Sequence, residues 1–202
     1  MKKIIVAAMA LAATSIFAQA SNFGGFSAGL NLNTVSTNVK ATYDGAGSFD
    51  GIGQQSWNGS VQAAYGFVTS PSTVVSVGAS YGLGNSKAGT LKVDGGSTYE
   101  VKTKNQLSVY VEPGFLLSNS TLVYGKLGYE RVKGISSVDG DEYGSDKLKG
   151  SSFGFGLRTM LDKTSYVQVE VRQLGYSSVT VQDVGSYKAK ATVGTVGFGY
   201  KF

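Results

Sequence analysis

Six ionisable side chains stand where the alternation of apolar and polar residues is strictest: the acids Glu112, Glu130 and Glu170 and the bases Lys126, Arg158 and Arg172. Their signs balance, and each lies among Gly, Ser and Gln on the polar side of an alternating run. A balanced set of this kind fits two roles. It is either a dry polar core that neutralises itself, or a gate in which exchanged partners open a narrow water path. A selective pore would carry one sign of charge around its constriction, so the self-neutralising core is the expected role. A second group, Asp139, Asp141, Glu142 and Asp146, could offer oxygen ligands to a divalent cation. Its spacing matches no EF-hand loop, so a solvated acidic loop is expected. The chain has no His and no Cys. That removes the commonest general base, the thiolate nucleophile and any disulfide or thiolate metal site. Serine chemistry lacks a paired base, and Gly24 to Gly29 lacks the Lys-Ser/Thr ending of a phosphate loop. No enzyme activity, metal or cofactor is expected.

The elements that position these charges have a period of two. Of 202 residues, 29 are Gly, 42% are hydrophobic and only 15% are charged, a composition foreign to helical bundles and disordered tails. Leu107, Val109, Val111 and Phe115 fall on one face, with Ser108, Tyr110, Glu112 and Gly114 on the other. Val123, Leu127 and Tyr129 oppose Tyr124, Lys126, Gly128 and Glu130, while Val167, Val169 and Val171 oppose Gln168, Glu170 and Arg172. The same pattern runs through Phe26 to Asn33, Trp57 to Phe67, Val75 to Leu83, Ser152 to Leu161 and Thr195 to Phe202, giving about eight strands, the smallest membrane-barrel size. One face of each strand is bulky and apolar; the other is small, polar or charged. In water the bulky face would turn inward. An eight-strand lumen is only wide enough for side chains, so the polar face fits inside and the bulky face meets lipid. Closure also satisfies every backbone hydrogen bond within the hydrocarbon. The expected fold is therefore all-β, an eight-stranded antiparallel up-and-down transmembrane β-barrel.

Location follows from the start of the chain. Met1-Lys2-Lys3, an apolar run from Ile4 to Ala13 and the small-residue exit Ala18-Gln19-Ala20 read as a secretory signal over residues 1–20, cleaved before Ser21. The run is too short for a spanning helix. Residues 21–202 then form the barrel domain. Without Lys2 and Lys3, 16 basic residues face 13 acidic ones, and so mild an excess gives no reason to expect nucleic acid.

Connections alternate in length. Tight turns are expected at Thr69 to Ser72, Ser118 to Ser120 and Asp162 to Thr164, and long loops at 34–56, 84–103, 132–149 and 176–187. Short turns belong to the periplasmic side, which places both chain ends there. Trp57, Tyr129 and Phe153 then form an outer aromatic girdle, and Phe67, Phe115, Phe198 and Tyr200 an inner one. Pro113 predicts a bulge or an early strand end. Counting from the turns puts Glu112 opposite Lys126, and Arg158 level with Gln168 and diagonal to Glu170. Lys87, Lys92, Lys102 and Lys104 make the second loop basic, a charge that outer-leaflet lipopolysaccharide phosphates would attract; with Asp94 and Glu100 interspersed, ordinary solubilising charge is the expected reading. Tyr43, Phe49, Tyr99, Tyr143 and Tyr187 are loop aromatics that could anchor a partner or prolong the hairpins.

With its signal segment, eight amphipathic strands, alternating connections and terminal run Val196-Gly-Phe198-Gly-Tyr200-Lys-Phe202, the mature chain resembles small outer-membrane barrels of the OmpA, OmpX and opacity-protein type. The resemblance implies a bacterial outer-membrane protein, read by the barrel assembly machinery through Phe198, Tyr200 and Phe202. Outer-membrane lipids and lipopolysaccharide are its implied partners. The enzymes known among membrane barrels use a catalytic His, which this chain lacks. A structural or loop-mediated surface role is expected, for a monomer with an extracellular ligand at its loops; a narrow solute pore and a soluble periplasmic ligand barrel are the alternatives.

Overall fold

Alternation at period two commits the chain to extended backbone, and β-branched and aromatic residues on the bulky face reinforce it. The computed structural model describes residues 20–43, 47–92, 98–177, 179–181 and 185–202. The strands are β1 (Gly25–Tyr43), β2 (Gly47–Ile52), β3 (Gln55–Ser70), β4 (Thr73–Leu83), β5 (Asn85–Lys92), β6 (Thr98–Ser118), β7 (Thr121–Val138), β8 (Asp141–Met160), β9 (Ser165–Tyr176), β10 (Val179–Val181) and β11 (Gly185–Lys201). Eight of them are staves, ordered β1-β3-β4-β6-β7-β8-β9-β11, and β11 returns to β1. That seam runs in unbroken antiparallel register from Ser27↔Lys201 to Tyr43↔Gly185. The short strands β2, β5 and β10 prolong hairpins beyond the staves. The result is a closed eight-stranded antiparallel barrel.

Polarity is inverted relative to a soluble barrel. Phe153, Phe155, Leu127, Leu30, Val196 and Trp57 are exposed on the outer wall, Phe155 by 67%, whereas Glu112, Lys126, Glu130, Arg158 and Glu170 are buried. The soluble alternative needs the reverse arrangement and is overturned by it. Phe67, Phe115, Phe198, Tyr200 and Phe202 are all exposed toward the periplasmic end, where the Phe26 and Phe202 rings approach to 5.5 Å and those of Tyr65 and Phe67 to 4.8 Å.

Three sequence expectations need correction. Segments 34–56, 84–103 and 132–149 are largely strand rather than loop, and in 176–187 sheet continues in β10 and the start of β11. β6, β7 and β8 run to 21, 18 and 20 residues, about twice what a bilayer crossing needs, because a hairpin satisfies its own backbone above the membrane. The β7–β8 tip is Asp139 (φ 51°) and Gly140 (φ 99°), the paired positive φ of a type I′ turn. Second, of the bulge or early strand end expected near the Ser118 turn, the strand end is absent and the bulge is present: β6 continues to Ser118, Pro113 faces outward opposite Val75, and the β6–β7 register shifts between Leu116 and Ser118. Third, the inner face is not wholly small or polar. Ala20, Phe23, Val74, Leu116, Leu122, Tyr124, Met160 and Tyr166 form an apolar cluster at the periplasmic end, and Val35, Leu174, Ala191 and Val193 form another higher up. Arg158 lies level with Gln168, as counting from the turn expects, and makes its ion pair with Glu112 of β6.

The expected tight turns are present at Pro71–Ser72, at Asn119–Ser120 and before Thr164. In the last, the Asp162 carboxylate accepts from the Thr164 and Ser165 amides at 2.7 Å each. Those backbone donors, Thr164 foremost, hold its carboxyl down at about 2. Ala18 and the rest of the signal segment through residue 19 lie outside the described residues, as do Asp94 and the side chains of Lys92, Asp146, Tyr43, Phe49, Tyr99, Tyr143 and Tyr187. Ala20 and Ser21 are described and begin a 3-10 turn, Ala20–Phe23.

Candidate functional site

The alternation that sends Val109, Val123 and Leu157 outward obliges their neighbours on β6, β7, β8 and β9 to share a lumen with no room for bulk water. The six sequence-identified charges meet there in one alternating chain. Arg158 Nη2 lies 3.0 Å from Glu112 Oε2, and Glu112 Oε1 lies 3.0 Å from Lys126 Nζ. Lys126 reaches Glu170 Oε2 at 2.8 Å, Glu170 Oε1 lies 2.7 Å from Arg172 Nε, and Arg172 Nη1 lies 3.2 Å from Glu130 Oε1. Five ion pairs thus link three acids and three bases with no sign left over. Glu130, 0% exposed, ends the chain by accepting from the Ser108 and Ser152 hydroxyls at 2.9 and 2.7 Å. A buried charge stripped of its partner costs several kcal/mol, and this topology gives four of the six two charged partners.

Three tyrosines complete the cluster. The Tyr110 ring centroid lies 3.9 Å from Lys126 Nζ, and the Arg158 guanidinium lies 5.0 Å from both the Tyr124 and Tyr166 rings. Cations over aromatic faces gain most when desolvated. Tyr124 also donates its hydroxyl to Glu170 at 3.0 Å. Each ring lies over the glycine paired with it in register: Tyr110 with Gly78, Tyr124 with Gly156 and Tyr166 with Gly199. A Cβ on Gly78 or Gly156 would meet its tyrosine at 2.7 or 2.5 Å, and one on Gly199 would strike Tyr166. Sequence reasoning left Tyr166 out. The available signal was its inward parity, two residues before Gln168, opposite a strand whose inward positions Gly197 and Gly199 lack side chains.

The other half of the lumen is neutral. Gln62 and Gln168 exchange hydrogen bonds at 3.1 and 3.2 Å, Gln168 donates to Asn31, and Arg158 Nε donates to Gln168 at 3.2 Å. Higher up, Asn33 joins Asn58, Ser60 and Thr195, and Asn58 donates to Ser86 at 2.6 Å. The void beside Asn33, Ser80, Gln106 and Arg172 is about 10 Å³, room for roughly one water.

The 3-10 turn closes the periplasmic mouth. Within the mature chain Asn22 Nδ2 donates to Asn119 O at 2.8 Å, Lys201 Nζ to Ser21 O at 3.0 Å and Gly24 N to Ser21 O at 3.2 Å. These bonds seat Phe23 against Val74, Leu116, Leu122 and Met160. Among the described residues no cluster of three His, Cys, Asp or Glu side chains could hold a metal. Above the membrane, Glu100 sits between Lys102 (2.8 Å) and Lys87 (3.0 Å). Hydrogen bonds from Lys102 first, and Lys87 second, hold its carboxyl below the usual carboxylate range.

Residues 4–202 match the family model for the outer membrane protein beta-barrel domain. Among solved structures, Neisserial surface protein A superposes with a TM-score of 0.53 at 12% identity, covering 86% of this chain and 97% of that one. Ail, the attachment invasion locus protein of Yersinia pestis, in complex with the heparin analogue sucrose octasulfate, gives 0.51 at 16%, with 88% and 99% covered. The outer membrane protein OprG from Pseudomonas aeruginosa gives 0.50 at 16%, with 93% and 99% covered. Identities this low speak for a shared fold alone. A sequence search of curated proteins finds no match.

Proposed function

The chain belongs to the outer membrane protein beta-barrel family and resides in the bacterial outer membrane, and we propose that within this family it is a sealed, non-conducting barrel that carries surface hairpins for structural or interactive work at the cell exterior. The observation that carries this reading is the charge-neutral chain of five ion pairs across the lumen, above a mouth shut by Phe23. A solute would have to displace both. The barrel acts alone, as a monomer without catalytic activity: the chain has no His, and the Ser108 and Ser152 hydroxyls are spent on Glu130 inside the sealed lumen. On the last strand Phe198, Tyr200 and Phe202 present an exposed outward row, which serves recognition by the assembly machinery.

Planar-bilayer recording of the refolded mature chain tests the reading, with heat-modifiable gel migration as the folding control. No current is expected from folded protein, and sustained single-channel current overturns it. A gated pore is the second reading, favoured by Lys126, which is held between two carboxylates and can move from one to the other. Under that reading Glu112→Gln and Arg158→Met alter the current, whereas a sealed barrel stays silent in both.

A further inference from the structure

A strand in a barrel wall is bonded along both edges, because an open edge leaves N–H and C=O groups without partners. Among the described residues β5 is bonded along one edge only. Its ladder to β6 runs from Asn85↔Lys104 to Lys92↔Thr98, and no backbone pairing joins it to β3 or β2 on the other side. The β3–β4 register stops below it, at Gly59↔Leu83. β5 nonetheless lies against β3 and β1. Among the described residues a single side-chain hydrogen bond crosses the slit between β3 and β5, from Asn58 Nδ2 to Ser86 Oγ at 2.6 Å. Asn58 is itself held in place, its Oδ1 accepting from Asn33 at 2.9 Å while Asn33 accepts from Thr195 at 2.9 Å. A relay of three neutral bonds thus runs inside the wall from β11 to β5.

The base of β5 is built to turn. Gly84, between β4 and β5, has φ 84° and nothing within 4 Å of where a Cβ would stand. Across from it on β6, Asn105 has φ 54°, the left-handed conformation that glycine and asparagine adopt most readily. The ladders break around both residues. The β4–β6 register stops at Tyr81↔Leu107 and β5–β6 pairing resumes at Asn85↔Lys104, while the β6–β7 register shifts between Lys104 and Leu107. Behind the break lies the void lined by Asn58, Ser60, Ser80, Gln106 and Val193. Its floor is Arg172, tied to Glu130 and Glu170. We propose that β5 is a flap at the outer end of the lumen, latched by the Asn58–Ser86 bond and pivoting at Gly84. Its release opens the slit between β3 and β5 and admits small polar solutes to the chamber, where the ion pairs stop them. The Lys87–Glu100 pair at 3.0 Å keeps the flap on β6 as it moves. The flap leaves the floor untouched, so it is independent of whether the lumen conducts.

The chain has no cysteine, so Val193→Cys, at a side chain 2% exposed, places one thiol in the chamber. The full mature chain carrying it is refolded in detergent micelles and treated with a small impermeant maleimide. Adding Ser86→Ala should raise the labelling rate about fivefold, the factor that one neutral hydrogen bond is worth in an opening equilibrium. Adding Phe23→Ala instead should leave the rate unchanged, because access is from the exterior. Folding is read from heat-modifiable migration. Should the Ser86→Ala variant not fold, amide exchange in wild type decides: β5 amides should exchange at least about tenfold faster than those of β7 from Arg131 to Ile135, at the same height. The proposal is overturned if Ser86→Ala leaves the labelling rate unchanged, if Phe23→Ala raises it as much as Ser86→Ala does, or if β5 exchanges no faster than β7.

Discussion

Lys126→Met should destabilise the barrel, and adding Glu170→Gln should restore most of the loss. Lys126 bridges Glu112 and Glu170 at 3.0 and 2.8 Å, both carboxylates being almost fully buried. Its removal leaves three acids against two bases. Glu112 keeps Arg158 at 3.0 Å, while Glu170 and Glu130 must share Arg172. Breaking a buried pair costs about 3–5 kcal/mol, and because each stranded acid keeps one partner the lower end applies, about 3 kcal/mol. In K126M/E170Q two acids and two bases remain, joined one to one as Glu112–Arg158 and Glu130–Arg172. Neutral Gln can still accept the Tyr124 hydroxyl that Glu170 accepts. The double variant should lie within about 1.5 kcal/mol of wild type, a coupling near the upper part of the range for contacting residues. Urea unfolding in lipid vesicles measures both, followed by gel migration and by the fluorescence of Trp57, the one tryptophan. A single variant within about 0.5 kcal/mol of wild type, or a double variant no better than the single, would falsify the claim that charge balance holds the lumen together.

Two further outcomes follow from the ends of the barrel. The chain has no cysteine, so Met160→Cys places one thiol in the cluster sealed by Phe23. An impermeant maleimide offered at the periplasmic mouth should label it at least about tenfold faster once Phe23→Ala has opened a cavity there; equal rates would show that the turn seals nothing. At the turn before β9, the Asp162 carboxyl is depressed to about 2 from an ordinary 3.8. A group depressed on folding stabilises above its unfolded value and ceases to do so as pH falls through the folded one. Wild type should therefore be more stable than Asp162→Asn at pH 6, with the gap closing toward pH 2; unfolding midpoints that stay equally far apart at both values would contradict it.

Local pattern made the staves, their polarity and the charged lumen legible, because a period of two fixes which side chains share a face whatever the chain does elsewhere. Glu112 and Lys126 could be matched by counting from Asn119, since a tight turn fixes register. Illegible features needed long-range information. Arg158 reaches Glu112 because the lumen is narrow enough to cross, whereas counting along neighbouring strands sees only β9. Parity already turns Val74, Leu116 and Leu122 inward; what it does not show is that they are covered from below by Phe23, a residue that belongs to no strand. The cross-strand basic pairs Arg131↔Lys149 and Lys133↔Lys147 become visible only with the β7–β8 register. Its cause was present in the sequence as Asp139-Gly140, a strong two-residue hairpin signal, obscured because the surrounding Gly, Ser, Asp and Lys read as loop.

The pairing of tyrosines with glycines bears on whether the lumen can open. A barrel of eight staves has a fixed bore, so three large rings fit only where the facing strand gives up its side chains, as it does at Gly78, Gly156 and Gly199. Once seated, the rings occupy the space into which Arg158 or Lys126 would have to swing. Arg158 would leave Glu112, Gln168 and two aromatic faces at once. At about 3 kcal/mol or more for the ion pair alone, the displaced state holds below about one per cent of molecules, since 1.4 kcal/mol is a factor of ten. Lys126 has the easier path, for it already touches both carboxylates, but moving between them leaves the bore as full as before. Exchange of partners and opening of a passage are therefore separate events in this barrel, and the glycine–tyrosine pairs, more than the charges, keep them apart.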